Sequence, residues 1–221
     1  MSLTFTAIVL ALVSTVSNPP GGRTPVGTDS LMGTGVSRAL ATTRAAQIRD
    51  VRYALSFDLT ERDSSRGTVT ARFRATRQAD VILDFRGLRL GAVEANGKAL
   101  ERVEFNGAHV RIPAAAVVAG ENVIVMSFVT KIAAAGSSII RYRDVTDGSE
   151  YLYTLLVPAD ANQLFPCFDQ PDLKAKVRLR LIAPKAWRTV ANGPLGAARD
   201  VSAGASGATE HTFEETEPIS T

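Results

Sequence analysis

Histidine and cysteine are nearly missing from this 221-residue chain, which holds His109, His211 and Cys167 and no others of either type. A single thiol closes no internal disulfide, so it does not identify the redox compartment. A protein zinc site needs roughly three or four nitrogen, sulfur or carboxylate ligands. Two scattered histidines and one cysteine offer no such spacing, and H-E-x-x-H, G-x-S-x-G, the P-loop and G-x-G-x-x-G are all absent. Aromatic residues make up only 6% of the chain, too few for the exposed cluster that an extracellular sugar-binding sandwich would require. Runs of like charge are also missing. Lys and Arg total 25 against 22 Asp and Glu, a net charge of +3, so no nucleic-acid partner is expected despite a pI near 9.2. No repeat of fixed period occurs, which argues against a solenoid or propeller. What is present is ordinary for a folded protein: 45% hydrophobic residues, enough for a sizeable core, and a length that suits one or two domains.

Met1–Ser17 is apolar from Leu3 to Val16, too short to span a bilayer comfortably. Its length and the small residues Thr15 and Ser17 fit a signal peptide, which would export the protein to a periplasmic or extracellular site. It carries no Lys or Arg ahead of the apolar run, so a buried strand or an unstructured leader, in a protein that stays in the cytoplasm, are the alternatives. Residues 18–45 read as a flexible linker. Asn18–Ser37 is rich in Pro, Gly, Ser and Thr, and Ser37–Gln47 has the spacing of a short helix or turn leading into a domain over residues 46–221.

Within that domain, period-two alternation marks strands at Tyr53–Leu59, Val69–Ala75 and Val177–Leu181, and again through Tyr151, Tyr153, Leu155 and Val157. The polar stretch ERDSSRG, ending at Gly67, reads as the connection between the first two. Val81–Phe85 is a short apolar strand. Asn96-Gly97 and Asn106-Gly107 are hairpin turns and suggest an antiparallel meander. Gly120-Glu121-Asn122 turns into a strong strand at Val123–Lys131. Trp187–Ala191 and Thr209–Phe213 are further strand candidates, separated by a Gly/Ala/Ser-rich loop at Ser202–Gly207. Many short strands and little helix predict an all-β fold, an antiparallel β-sandwich or saddle-like pair of sheets. Arg72, Arg74, Arg178 and Arg180 read as a solvated face, His109 and His211 as solvent-facing, Trp187 as core, and Cys167 as a small buried hydrophobe.

One stretch is not generic. Glu150–Lys176 holds Pro158, Pro166 and Pro171, each fixing φ and removing a donor. Between them Leu164, Phe165 and Phe168 suggest a rigid packed surface, with Asp160, Asp169 and Asp172 able to cap turns or short helices. Phe165–Ala175, F-P-C-F-D-Q-P-D-L-K-A, resembles the signature in the N-terminal domain of the aminopeptidase N-like zinc metallopeptidases, the gluzincin family. The preceding Y-L-Y-T and P-A-D-A, the A-N-G-P-L at Ala191–Leu195, the T-E-P-I-S-T at Thr216–Thr221 and the F-D-L-T of the first strand fit the same pattern. The resemblance covers Ser37–Thr221.

The resemblance implies a non-catalytic β domain that lines one side of the active-site cleft of an enzyme removing N-terminal residues from peptides. Its partners would be the parent's catalytic domain and, through that assembly, the peptide substrate. Zinc is expected in that other domain, with no cofactor in this chain, and the chain alone should be inactive. In the family the strand before P-A-D-A usually reads T-Q-x-E or similar and helps hold the substrate's amino group. The matching positions here are Leu155 and Val157, which cannot bind an ammonium. The parent would then hold the amine with its other domain, prefer a different first residue through a greasier subsite, or be a non-catalytic homologue; alternatively, Leu155 and Val157 are simply the buried phase of the strand that carries Tyr153. A stand-alone or pseudoenzyme-derived β-sandwich scaffold is the competing reading of the whole chain. The family continues beyond the position of Thr221 into a further strand, so an unpaired sheet edge and some self-association are expected.

Overall fold

The computed structural model describes residues 28–202 and 207–221. The leader at Met1–Ser17, the first part of the linker and the tip of the Ser202–Gly207 loop lie outside the described residues.

Strands dominate, as the alternation predicts. In chain order they are β1 (Ile48–Asp58), β2 (Ser64–Ala75), β3 (Val81–Asp84), β4 (Arg89–Ala95), β5 (Lys98–Ala99), β6 (Glu104–Phe105), β7 (His109–Ile112), β8 (Gly120–Ala133), β9 (Ile139–Arg143), β10 (Glu150–Thr154), β11 (Ala175–Pro184), β12 (Leu195–Val201) and β13 (Ala208–Phe213). The large sheet runs β10-β9-β8-β2-β1-β11-β13-β12, with β4 and β5 attached alongside β8. A small sheet of order β3-β7-β6 packs against it. The inward residues Tyr53, Leu55, Val69, Phe73, Ile124 and Met126 of the large sheet meet Leu83, Phe85, Val110 and Ile112 in one continuous core. Most pairings are antiparallel, but β1–β11 and β8–β9 are parallel.

The helix expected near Ser37 is α1 (Arg38–Gln47), capped where Ser37 Oγ accepts from the Leu40 N–H at 3.1 Å. It lies within residues assigned to the linker, and Leu31 and Met32, upstream of it, are buried with Leu40 and Ile82. Leu31 and Met32 sit in a Gly- and Ser-rich stretch with no period, yet with Leu40 of α1 they fill one pocket over β3. That is why all four residues of β3 are buried: Ile82 faces this cluster while Val81 and Leu83 face the main core.

Several local expectations are corrected. The ERDSSRG connection is shorter than expected, since β2 already starts at Ser64. Gly67 therefore sits inside β2, where a Cβ would come within 2.4 Å of the Phe128 ring and 2.9 Å of the Ser56 carbonyl oxygen. The two Asn-Gly turns do not build one meander. Asn96 and Gly97, both at positive φ (51° and 79°), close the β4–β5 hairpin of the large sheet, while Asn106-Gly107 joins β6 to β7 in the small one. Trp187–Ala191 is not a strand. On the side away from β11, β13 pairs with β12, whose Ala-rich, almost wholly exposed LGAARDV has no alternation and is held by ladder hydrogen bonds. Trp187 is only half-buried, with the Arg141 guanidinium 5.4 Å from its ring. His109 and His211 are both buried rather than solvent-facing.

Candidate interface at the β9–β10 hairpin

β10 forms one edge of the large sheet, and the chain turns into it through a well-satisfied connection. The Asp144 N–H donates to the Ser149 carbonyl (2.8 Å), Asp144 Oδ1 accepts from the Thr146 N–H (2.7 Å), and Asp147 Oδ1 accepts from the Ser149 N–H (2.8 Å). That last bond holds the Asp147 carboxyl below the ordinary aspartate range. The hairpin is thus a fixed platform, and its outer face is apolar. Tyr142 lies opposite Tyr151 in register with their rings stacked, 6.4 Å between centroids. Leu152 takes the core side, so Tyr151 and Tyr153 point away from it.

β10 ends at Thr154, but the Leu155 N–H still donates to the Ser138 carbonyl at 3.0 Å, which carries the same face one residue further. Leu155 is 56% exposed and Val157 77%. They are therefore not the buried phase of the strand. Of the ten large hydrophobic side chains exposed among the described residues, six fall between Tyr142 and Val157. Exposed apolar side chains grouped in this way suit contact with another surface better than scattered ones do.

The loop that carries Leu155 and Val157 is anchored from beneath. It passes through a cis Val157–Pro158 bond to Asp160, whose Oδ1 accepts from Arg86 Nη2 (2.8 Å) and Gln163 Nε2 (2.6 Å). The short helix α2 (Ala161–Leu164) follows, and its Asn162 N–H donates to Asp169 Oδ2 at 3.0 Å. Burial pushes the Asp169 carboxyl up, against the hydrogen bonds it accepts from the Asn162 backbone and side-chain amides.

Phe165–Gln170, expected as a packed surface, is entirely buried. It is packed, but inward. Cys167 bridges to Asp84 through two backbone hydrogen bonds, of 2.7 and 3.1 Å. The Phe168 N–H donates to the Tyr53 hydroxyl at 2.8 Å, and Phe165 and Phe168 meet Tyr53 and Phe73 edge to face. Burial raises the Cys167 thiol and the Tyr53 phenol well above their ordinary values, so both stay protonated and neither is a nucleophile. The segment plugs the junction of the two sheets and sets the loop above it.

Beside this plug lies a buried charge network that the sequence did not reveal. Arg44 on α1 grips Asp84 with both terminal nitrogens at 2.7 Å. Asp84 also accepts from His109 Nδ1 (2.8 Å) and the Asp169 N–H (2.9 Å), while His109 Nε2 lies 2.6 Å from the Gly33 carbonyl oxygen. Burial works against the Asp84 charge, but the bonds from His109 and Arg44 outweigh it and hold the carboxyl below its ordinary range. Burial works against the His109 charge as well, but the Asp84 bond and charge outweigh it and raise the ring. Both ring nitrogens face oxygens that can only accept, so the imidazolium is the form that satisfies them. These groups fasten α1 and the segment before it to the small sheet. They are not a metal donor set: Arg44 and His109 occupy the carboxylate, and among the described residues no three His, Cys, Asp or Glu side chains converge. The described residues therefore do not fit a zinc ion.

Residues 50–221 match the family model described as the Peptidase M1 N-terminal domain. The chain belongs to this family. It is 30% identical over 173 residues to aminopeptidase N of Streptomyces lividans, an alignment covering 76% of this chain and 20% of that protein. It is 36% identical over 64 residues to glutamyl aminopeptidase of Sus scrofa, covering 29% of this chain and 6% of that one. The chain thus spans about a fifth of the first relative's length. The all-β architecture and the signature block agree with the family assignment. Among the described residues no helix is long and apolar enough to cross a membrane.

Proposed function

We propose that this chain is the N-terminal, non-catalytic β domain of a zinc-dependent aminopeptidase, and that the Tyr142–Val157 face is where it meets the catalytic domain. The family match, together with the apolar face on a rigid hairpin, supports this reading. The observation that carries it is the placement of Leu155 and Val157. The sequence resemblance assigns these two positions to substrate contact, and both side chains project from an anchored loop at the end of that face.

In this reading the two side chains give the first subsite an apolar wall in place of a carboxylate or amide. They add desolvation of the substrate's first side chain and contribute nothing to holding its ammonium. Zinc held by residues of the catalytic domain would supply Lewis-acid activation of water, and the role of this chain would be to shape the cleft beside it. The parent thus favours peptides with an apolar first residue and holds the amine with groups outside this chain.

The test is made in the longer protein, with aminoacyl-naphthylamide substrates. Leu155→Ala is expected to raise KM for a leucyl substrate about tenfold while changing kcat little, because it removes apolar contact made equally in ground and transition states without adding a carboxylate that could hold the ammonium. An unchanged KM with Leu155→Ala, or no peptidase activity in the parent, overturns the reading. Export is proposed through Met1–Ser17, and recovery of the protein from the cytoplasm with Met1 intact would contradict it. Weak self-association along the exposed edge strand β12 is also proposed. A monomer at all concentrations in sedimentation refutes that.

A further inference from the structure

The outward face of the large sheet, opposite the core, carries an arrangement the family assignment does not explain. Strand register places Lys176 on β11 beside Arg52 on β1, and Arg52 beside Arg72 on β2. Three cations stand side by side in one row across three adjacent strands. Like charges directly opposite each other destabilise a sheet, so ordinary surface design would interleave acids here. Only Arg52 has an acidic partner, Glu215 at 2.9 Å; the side chains of Arg72 and Lys176 make no ion pair or hydrogen bond among the described residues.

The row sits in a groove of about 610 Å³, within the range of small-ligand sites. Arg74 and Lys174 extend the positive lining, and Asp50 and Glu121 are the carboxylates that line it. Glu121 is spoken for in part by Arg74, at 3.6 Å. Asp50 occupies a β-bulge at φ 54°, where two residues of β1 oppose one of β2.

We propose that this groove binds a compact multivalent oxyanion of the phosphate or polyphosphate class, held chiefly by Arg72 and Lys176. Neighbouring strands lie about 4.8 Å apart, so the three tips span roughly 10 Å. That suits one small polyanion bridged by several cations, with the Arg fork gripping two oxygens. An acidic peptide fits less well. β1 and β2 are hydrogen-bonded on both edges, and the start of β11 is paired on one side with β1 and on the other with Thr216 and Ile219. A peptide backbone laid in the groove would find no main-chain partner.

The test is calorimetric titration of the full chain with sodium tripolyphosphate at low salt, with hexaglutamate as comparison. Saturable one-to-one binding is expected, weakened at least about tenfold by Arg72→Gln with Lys176→Gln, since each removes a charge-assisted hydrogen bond. Arg178→Gln, exposed on the same face of β11 but outside the groove, is expected to change affinity less than about twofold. All three positions are at least partly exposed, so the variants keep the fold, and circular dichroism checks that. No saturable binding, equal weakening by Arg178→Gln, or equally tight binding of hexaglutamate overturns the proposal.

Discussion

Replacing Asp84 with alanine removes the acceptor for four hydrogen bonds at once: two from Arg44, one from His109 and one from the Asp169 N–H. The Arg44 and Asp84 side chains are each 3% exposed, so water cannot take the carboxylate's place. Arg44 keeps its Nε bond to the Ile82 carbonyl at 3.0 Å, but both terminal nitrogens lose their acceptor. Breaking a buried pair by deleting one partner costs about 3–5 kcal/mol, because an uncompensated charge stays behind. Against a typical domain stability of about 5–15 kcal/mol, that is a large fraction. Asp84→Asn keeps the shape and two of the contacts and should cost less. Urea unfolding of the full chain, followed by circular dichroism, measures both. An Asp84→Ala cost below about 1 kcal/mol at unchanged m-value would refute the claim that this network fastens α1 to the small sheet.

Two further outcomes follow from the same interior. The raised His109 value means its stabilisation is fully present below pH about 6.5 and is lost as pH rises through the folded-state value; the lowered Asp84 value means its contribution is present above pH about 4 and is lost as pH falls through its folded-state value. The urea midpoint should therefore fall on both the alkaline and the acid side, and His109→Gln should flatten the alkaline limb; an identical profile in that variant would contradict the imidazolium assignment. Cys167, fully buried with a raised thiol, should resist iodoacetamide in the folded chain and react fully in urea, as read by mass spectrometry; rapid labelling of the native protein would show that the plug opens.

Much of the fold was legible because a strand with one buried face writes period two into the sequence, as β1, β2 and β8 do. What period two does not say is which phase faces inward. Tyr151, Tyr153 and Leu155 look like a buried phase, yet Leu152 is the residue that packs on the core. β12 was missed because its ladder, rather than its side chains, defines it. The F-P-C-F-D-Q block identified the family without showing its own direction, since proline-braced apolar residues suit an interior plug as well as a wall. Arg44, Asp84 and His109 lie on three elements joined only by the fold, so nothing local hinted that His109 is buried. The cationic row was hidden for the same reason: Arg72 and Lys176 become neighbours of Arg52 only through the parallel β1–β11 pairing, for which no short turn leaves a signal.

That parallel pairing also dictates the order in which a nascent chain can mature. β1 leaves the ribosome well before its second neighbour, which is made only when synthesis reaches Ala175–Pro184. Until then one whole flank of β1 offers bare amide and carbonyl groups, and Tyr53 waits for the Phe168 amide that will dock on its hydroxyl. Low-order local hairpins can assemble ahead of this moment, but closure is a late, long-range event. Over that interval the growing polypeptide exposes an unpaired strand edge, the kind of surface that other chains can pair with.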